Sequence, residues 1–384
     1  MSAPLRPAPP VVPPPPPSRL RDVEGLVLSP LRPTTRRPAV LVGSLSVLLT
    51  VGLWLGDLHP GAAVAAGALT HLVLLYAVYR VLGGHRVAVD HVMRALVHLA
   101  FGLALLPLVS LLWTVLTLGG GRGFDPQFLW QTMNGVTGLH DQAYAEGRGD
   151  FVGGAFHAIV GTLVITGLAT LISVPVGLFT AIYLVEYAAG NRLSSAVRFL
   201  VDVMTGIPSI VAGLFAFALF AQIFGLRDAK MGLAGAVALS VLMIPTVVRN
   251  SEEMLRIVPN ELREASLALG VPKWRTIARI VLPTAASGLA SGITLAVARV
   301  IGETAPLLVA VGYARALSWN PFEGPMNTLA VYAYFMFTKP LSPAVREPSL
   351  ERAWAAALLL VLIVVALNLL ARLIARLFAP KTGR

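Results

Sequence analysis

The chain has 384 residues, 56% of them hydrophobic and 13% charged, with no cysteine and a formal net charge of +11. The charged share is about half of what a soluble globular domain carries, and the lack of cysteine excludes disulfide scaffolds, thiolate metal sites and cysteine nucleophiles. The positive charge forms no basic run of the kind that binds nucleic acid; it sits in short segments between apolar stretches, where it sets orientation in a membrane.

Residues 1–38 are Pro-rich, with PPPPP at 13–17. They read as a disordered cytoplasmic tail, or as a polyproline ligand for a partner. A signal peptide is a poorer reading, because the stretch before the first apolar run is too long. Eight apolar stretches follow, at 39–57, 60–82, 95–118, 156–185, 198–224, 231–249, 284–312 and 353–378. Each is long enough to cross about 30 Å of hydrocarbon as a helix. Only helices or closed barrels satisfy the backbone in lipid, and the short alternating strands of a barrel are absent. The expected fold class is all-α: a polytopic membrane protein of about eight transmembrane helices. The first two spans, joined only by DLHP, form an accessory hairpin at 39–82. The six spans within 95–378 form the working core, and 379–384 is a short cytoplasmic end. His91 and His98, one heptad apart, suit interfacial packing.

With the N-terminus inside, the inner segments hold 21 Lys and Arg and the outer segments eight. This predicts both termini in the cytoplasm. Two outer loops are long, 119–155 and 313–351. Each suits either an external partner or plain solvent, and 326–338 suits an interfacial or re-entrant helix. Asp202 lies near the inner end of the fifth span. Pro208 and Pro245 occupy kink positions, and Arg249 closes the sixth span as a topology anchor or a functional base.

The stretch EASLALGVPKWRTIARIVLP (264–283) is polar between two greasy spans. Asn260 is a fair N-cap, Leu262, Ala265 and Leu269 form one stripe, and Gly270 suits a C′ turn. Pro272 opens a second arm with Trp274, Ile277 and Val281 on its stripe, and Pro283 is expected to separate that arm from the seventh span. The result is a helical hairpin at 260–283. It suits a docking knob for a cytoplasmic partner or a surface connector. A DNA-binding helix-turn-helix is disfavoured by the tether and by Glu252, Glu253, Glu261 and Glu264.

The seventh span carries ARVIGETAPLL (298–308). Arg299 and Glu303 are four apart and are expected on one helix face, near mid-bilayer. Intramembrane charges normally face a bundle interior or a wet pathway. The pair reads as a self-neutralising structural unit or as an anion site, where Arg299 offers a fork of donors to phosphate or carboxylate. Pro306 is placed to break the ladder. Gly288 and Gly292 suit close helix packing. No lysine stands in a phosphate-cradling loop, no His-Glu-x-x-His occurs, and no nucleophile elbow is present.

Glu264-Ala265-Ser266, three residues, Gly270, nine residues, then Ile280-Val281-Leu282-Pro283 resembles the EAA loop of ABC importer permeases, with Ser266 in place of the second Ala. GTLVIT (161–166), GIPSIVAGLFAF (206–217) and ARVIGETAPLL narrow the resemblance to PstA-type permeases of phosphate importers, over roughly 95–378. The resemblance implies a permease subunit forming half of a phosphate pathway. In it Glu264, Ala265, Gly270, Leu282 and Pro283 would couple to a cytoplasmic ATPase, while Arg299, Glu303 and Arg249 would line substrate passage. It implies no catalytic residue, cofactor or metal in this chain, with ATP and Mg held by the ATPase. The implied partners are a sister permease, two ATPase copies and an extracytoplasmic phosphate-binding protein, in the inner membrane of a prokaryote. Sulfate or molybdate is the alternative cargo; a membrane enzyme or secondary transporter is the alternative class. The tail and the first two spans lie outside the resemblance.

Overall fold

A computed structural model describes residues 37–188 and 190–377. Residues 1–36 of the Pro-rich tail and the segment 379–384 lie outside the described residues, and Arg37 and Pro38, expected in the tail, open the first helix. Every regular element described is helical: α1 (Arg37–Leu55), α2 (Pro60–Gly123), α3 (Pro126–Trp130), α4 (Gly138–Ala145), α5 (Phe156–Ile182), α6 (Arg192–Thr205), α7 (Ser209–Phe224), α8 (Gly232–Ile257), α9 (Asn260–Ala268), α10 (Lys273–Thr276), α11 (Leu282–Val300), α12 (Ala305–Ala310), α13 (Leu329–Thr338) and α14 (Glu347–Leu377). Two π-helical turns, Tyr183–Tyr187 and Ile277–Val281, extend α5 and join α10 to α11.

Six helices are long and apolar enough to cross a membrane, or seven when the bent pair α6–α7 counts as one. The eight expected stretches all fall on helices, because α2 holds two of them. At 64 residues α2 would run about 96 Å if straight, three times a bilayer core. Gly84, at φ 81 and ψ −179, breaks it into two limbs. Tyr79 and His91 stack at 3.7 Å across that break, whereas twelve residues of straight helix would separate them by about 18 Å. The limbs therefore fold back on each other at Gly84, a backbone conformation open to glycine without strain. With α1 they bury Val42, Leu75, Tyr79 and Ala88. The expected connection at 83–94 is thus helical on both sides of a single-residue turn.

The second compact unit begins at Val109. Its centre joins Ile165 of α5, Ala216 of α7, Leu239 and Met243 of α8, Val300 of α11 and Leu307 of α12. Lipid tails are as apolar as leucine, so close backbone approach rather than water exclusion drives such packing. Small residues provide that approach. A Cβ on Gly177 would stand 2.6 Å from Val247 Cγ1, and one on Gly292 would stand 2.8 Å from Asn250 Cβ. Asn250 also donates to the Gly292 carbonyl at 3.1 Å.

The two long loops, 119–155 and 313–351, pack into one cap. Phe128, Met133 and Val136 of the first meet Leu329, Tyr332 and Met336 of the second, and Gln142 donates to Ser342 at 3.1 Å. The helix expected within 326–338 is α13. At ten residues it reaches about 15 Å, too short to span.

Candidate coupling hairpin and broken-helix pathway

The hairpin at 260–283 forms from residues that cap and turn it. Asn260 is the first helical residue of α9 instead of its N-cap, which is Pro259. The Leu269 and Gly270 amides close α9 on the Ala265 and Leu267 carbonyls, and Gly270 turns the chain at φ 77. Ser266 and Thr276, both buried, join the arms through hydroxyls 2.8 Å apart. The one departure from the EAA pattern therefore ties the hairpin shut. Ser266→Ala leaves Thr276 without this partner and is expected to cost about 1 kcal/mol. Ser266→Ala with Thr276→Val should recover most of that loss in thermal unfolding of the purified chain; no recovery would mean the bond contributes nothing.

The two apolar stripes differ in fate. Ile277 and Val281 are buried, whereas Leu262, Ala265, Leu267, Leu269 and Trp274 stay exposed, Leu269 by 84%. Glu264 and Gly270 are exposed beside them. The hairpin so presents an apolar crest flanked by a carboxylate, exposed among the described residues.

Pro283 does not separate the second arm from the span. Residues Lys273–Val300 form one continuous 28-residue helical element. Proline lacks an N–H and would break an ordinary ladder. Here a π turn at Ile277–Val281 precedes it, and Leu282 N–H reaches back to the Ile277 carbonyl. The wider turn accommodates Pro283 in the first turn of α11. The second arm of the hairpin and the span are thus one continuous helical element.

Two breaks lie deeper. Gly206-Ile207-Pro208 bends α6 against α7 by 107°, far more than the kink expected there. Proline at the break starts α7 and disfavours helix in the residue before it. The second break follows Ile301. The helix ends, Gly302 to Thr304 form an irregular turn, and Pro306 lies in the first turn of α12. The seventh stretch is therefore two helices, and Pro306 opens the second instead of hinging the first. The breaks meet: a Cβ on Gly213 would lie 2.6 Å from Pro306 Cα. Glycine at 213 lets α12 seat on α7, so GIPSIVAG and GETAP form one structural unit. GTLVIT contacts the start of α13, where Thr162 accepts the Leu329 N–H at 2.9 Å.

The model of the binding-protein-dependent transport system inner membrane component family matches residues 173–384. The chain belongs to that family. Among curated relatives of this permease, the phosphate transport system permease protein PstA 1 of Mycobacterium tuberculosis is 46% identical over 275 residues, 72% of this chain and 83% of that protein. PstA of Haemophilus influenzae is 41% identical over 221 residues, 58% and 75% of the two chains. Among solved structures, the inward-facing MetNI methionine ABC transporter aligns over 57% of this chain and 93% of its own at 22% identity and a TM-score of 0.46.

In the permease, Arg299 and Glu303 do not share a helix face. Arg299 occupies the last turn of α11, where a cation is favoured by the helix dipole. Glu303 lies past the helix end, half-buried, its N–H donated to the Val300 carbonyl at 3.1 Å. No ion pair joins them among the described residues. Arg299 is exposed. Arg249 does not end its helix, which runs two turns further to Ile257. It donates to Asp202 at 2.6 Å. With Arg198, Glu252 and Arg256 this pair lines a cleft of about 320 Å³, in which Glu252 accepts from Arg198 at 2.9 Å and from Arg256 at 2.5 Å.

Two residues matter that no motif singled out. Arg263 of α9 donates to Glu186 from Nε at 3.0 Å and from Nη2 at 2.9 Å. It also donates to the Leu255 and Val258 carbonyls at 2.8 and 2.5 Å, closing the end of α8. Lys273 of the other arm stands over the Tyr187 ring at 5.1 Å. Glu186-Tyr187, at the π end of α5, so braces both arms. Arg263 stands between Leu262 and Glu264 on a short polar arm, which gives no local signal, and its partner lies 77 residues away.

Proposed function

We infer that the chain is the transmembrane permease subunit of an ATP-driven phosphate importer, forming half of the pathway. The observation that carries this reading is the packing of GIPSIVAG on GETAP at two adjoining helix breaks, in a chain 46% identical to a phosphate permease over 275 residues. Non-helical backbone at membrane depth is tolerated where it is buried in protein or lines a cavity.

The finer assignments follow from chemistry. The apolar crest with Glu264 beside it docks into a groove of a cytoplasmic ATPase, which alone holds ATP and Mg, so the permease itself catalyses nothing. Gly270 turns the crest, and Leu282 and Pro283 join it to the span. Arg299, exposed in the isolated subunit and without a carboxylate partner among the described residues, faces a sister permease across the pathway and offers its guanidinium to phosphate. Glu303 lies one turn away as a counter-charge, and Arg249 marks the inner end of the route. A binding protein delivers phosphate to the outer cap. The 21-to-eight split of Lys and Arg between alternate segments supports both termini in the cytoplasm.

The test is ATP-dependent uptake into vesicles bearing the assembled complex, with sulfate as competitor. Phosphate uptake unaffected by sulfate is expected; preferential sulfate uptake would reassign the cargo, and uptake without ATPase subunits would reassign the class. Arg299→Gln should reduce uptake by at least about tenfold, the equivalent of one lost charge-assisted contact. Wild-type uptake in that variant would leave Arg299 structural.

A further inference from the structure

The accessory unit holds a cleft of about 400 Å³ that the transport reading does not use, and it lies outside the residues matched by the family model. His71 on the first limb of α2 and His91, Arg94 and His98 on the second line it, with Ala39 of α1 and Leu75 at its apolar side. The fold-back at Gly84 is what brings these limbs together.

The rings are held. His98 Nδ1 donates to the Arg94 carbonyl at 2.6 Å. His71 Nδ1 lies 3.3 Å from Ser46 Oγ, whose own proton goes to the Val42 carbonyl, so the histidine is the donor there. Each ring keeps Nε2 for a ligand, and a protonated ring donates from it. His91 stacks on Tyr79, a buried residue whose hydroxyl has no partner among the described residues. No carboxylate lines the cleft among the described residues, and Asp90, bound to Arg94 at 2.9 Å, is exposed. Among the described residues no His, Asp or Glu cluster can hold a metal ion, and Arg94 would repel one. The chemistry suits an anion.

Its position suits one class of anion. Arg94 and His98 stand about 15 and 21 Å from Gly84 along the second limb, and His71 about 20 Å along the first. Between them and the turn lie Arg80, His85, Arg86 and Asp90; beyond them the second limb is apolar, with Leu103 and Leu106 exposed. On the second limb the cleft so marks a polar–apolar border, while the first limb between Leu72 and Leu82 carries Arg80 as its one charge. Basic pockets between transmembrane helices at such borders take phosphate head groups.

We propose that this cleft binds a phosphate-bearing anion on His71, Arg94 and His98, with the apolar flank of Leu75 and Leu99 favouring a lipid head group over the free ion. The test uses the full chain in nanodiscs of phosphatidylcholine containing a minor fraction of phosphatidylglycerol, with retained lipid counted by native mass spectrometry. Phosphatidylglycerol should be retained preferentially. His71→Gln/Arg94→Gln/His98→Gln should lose that retention by at least about tenfold, and Arg80→Gln, outside the cleft, should not. Should the triple variant not fold, Arg94→Gln, with its side chain 60% exposed, carries the same comparison. Displacement of the lipid by added inorganic phosphate would name the free ion as occupant; failure to displace would name the lipid. Equal retention of both lipids by the wild type, with no binding of inorganic phosphate, overturns the proposal, as does undiminished binding in the variants.

Discussion

Arg263→Ala is expected to abolish transport while the complex still assembles and hydrolyses ATP. The side chain is 15% exposed and Glu186 is 6% exposed, so the pair is largely shielded from water. Removing one partner of a buried pair costs about 3–5 kcal/mol, because the other charge is stranded. Here the loss is doubled in kind: Arg263 also satisfies the Leu255 and Val258 carbonyls at the open end of α8. The crest would remain, since Ser266–Thr276 and Gly270 still form it, but its brace to α5 would not. Motion imposed on the crest would then be absorbed locally instead of moving α5 and α11 together. In proteoliposomes this reads as phosphate uptake lowered by at least about tenfold at retained ATPase activity. Arg263→Lys should recover little, because an ammonium cannot hold Glu186 through two donors and two carbonyls at once. Glu186→Ala should reproduce the defect. Coupled uptake in Arg263→Ala would show that α11 alone carries the signal.

The hydropathy of the chain made its spans legible, and for a physical reason. Lipid leaves the backbone no choice but helix, so long apolar runs translate directly into structure. The hairpin at 260–283 was legible too, since Gly270 and Pro272 mark a turn by local chemistry alone. What local signals conveyed poorly was the sharpness of the breaks. GIP at 206–208 announces a kink but not its size of 107°, and the seating of α12 against Gly213 is a contact made 93 residues later. The Arg299–Glu303 spacing implied a shared face only on the premise of an unbroken helix, and the turn at Gly302 removes that premise. Pro283 misled in the opposite sense, because a π turn absorbs a residue that ordinarily stops a helix. The fold-back at Gly84 sits between helix-forming stretches with no proline or cap. Its one signal is the GGH at 83–85.

Long-range ion pairs are the least legible of all, and the most buried of them carries the second large effect. Asp141 and Arg352 are each 1% exposed and 211 residues apart, one in each outer loop region. Arg352 donates from Nη1 and Nη2 to the carboxylate at 3.0 and 2.7 Å, and Nη2 also reaches the Val152 carbonyl at 2.7 Å. Ser349 donates to the same carboxylate at 3.2 Å while accepting the Leu341 N–H. The Phe151 ring lies between Arg352 and Arg122, at 4.6 and 4.0 Å. One pair so fastens α4, the strap before α5 and the start of α14. Arg352→Ala is expected to destabilise the outer cap by about 3–5 kcal/mol, since Asp141 would be left buried with only Ser349 as donor. Asp141→Leu with Arg352→Met should be milder than either single change, because apolar replacements strand no charge. The Arg352 Nε, buried without a partner among the described residues, makes the double replacement less costly still. Thermal unfolding in detergent, followed by protease cleavage within 138–155, ranks the three. A double variant as unstable as Arg352→Ala would mean that packing around Phe151, and not the ion pair, holds the cap.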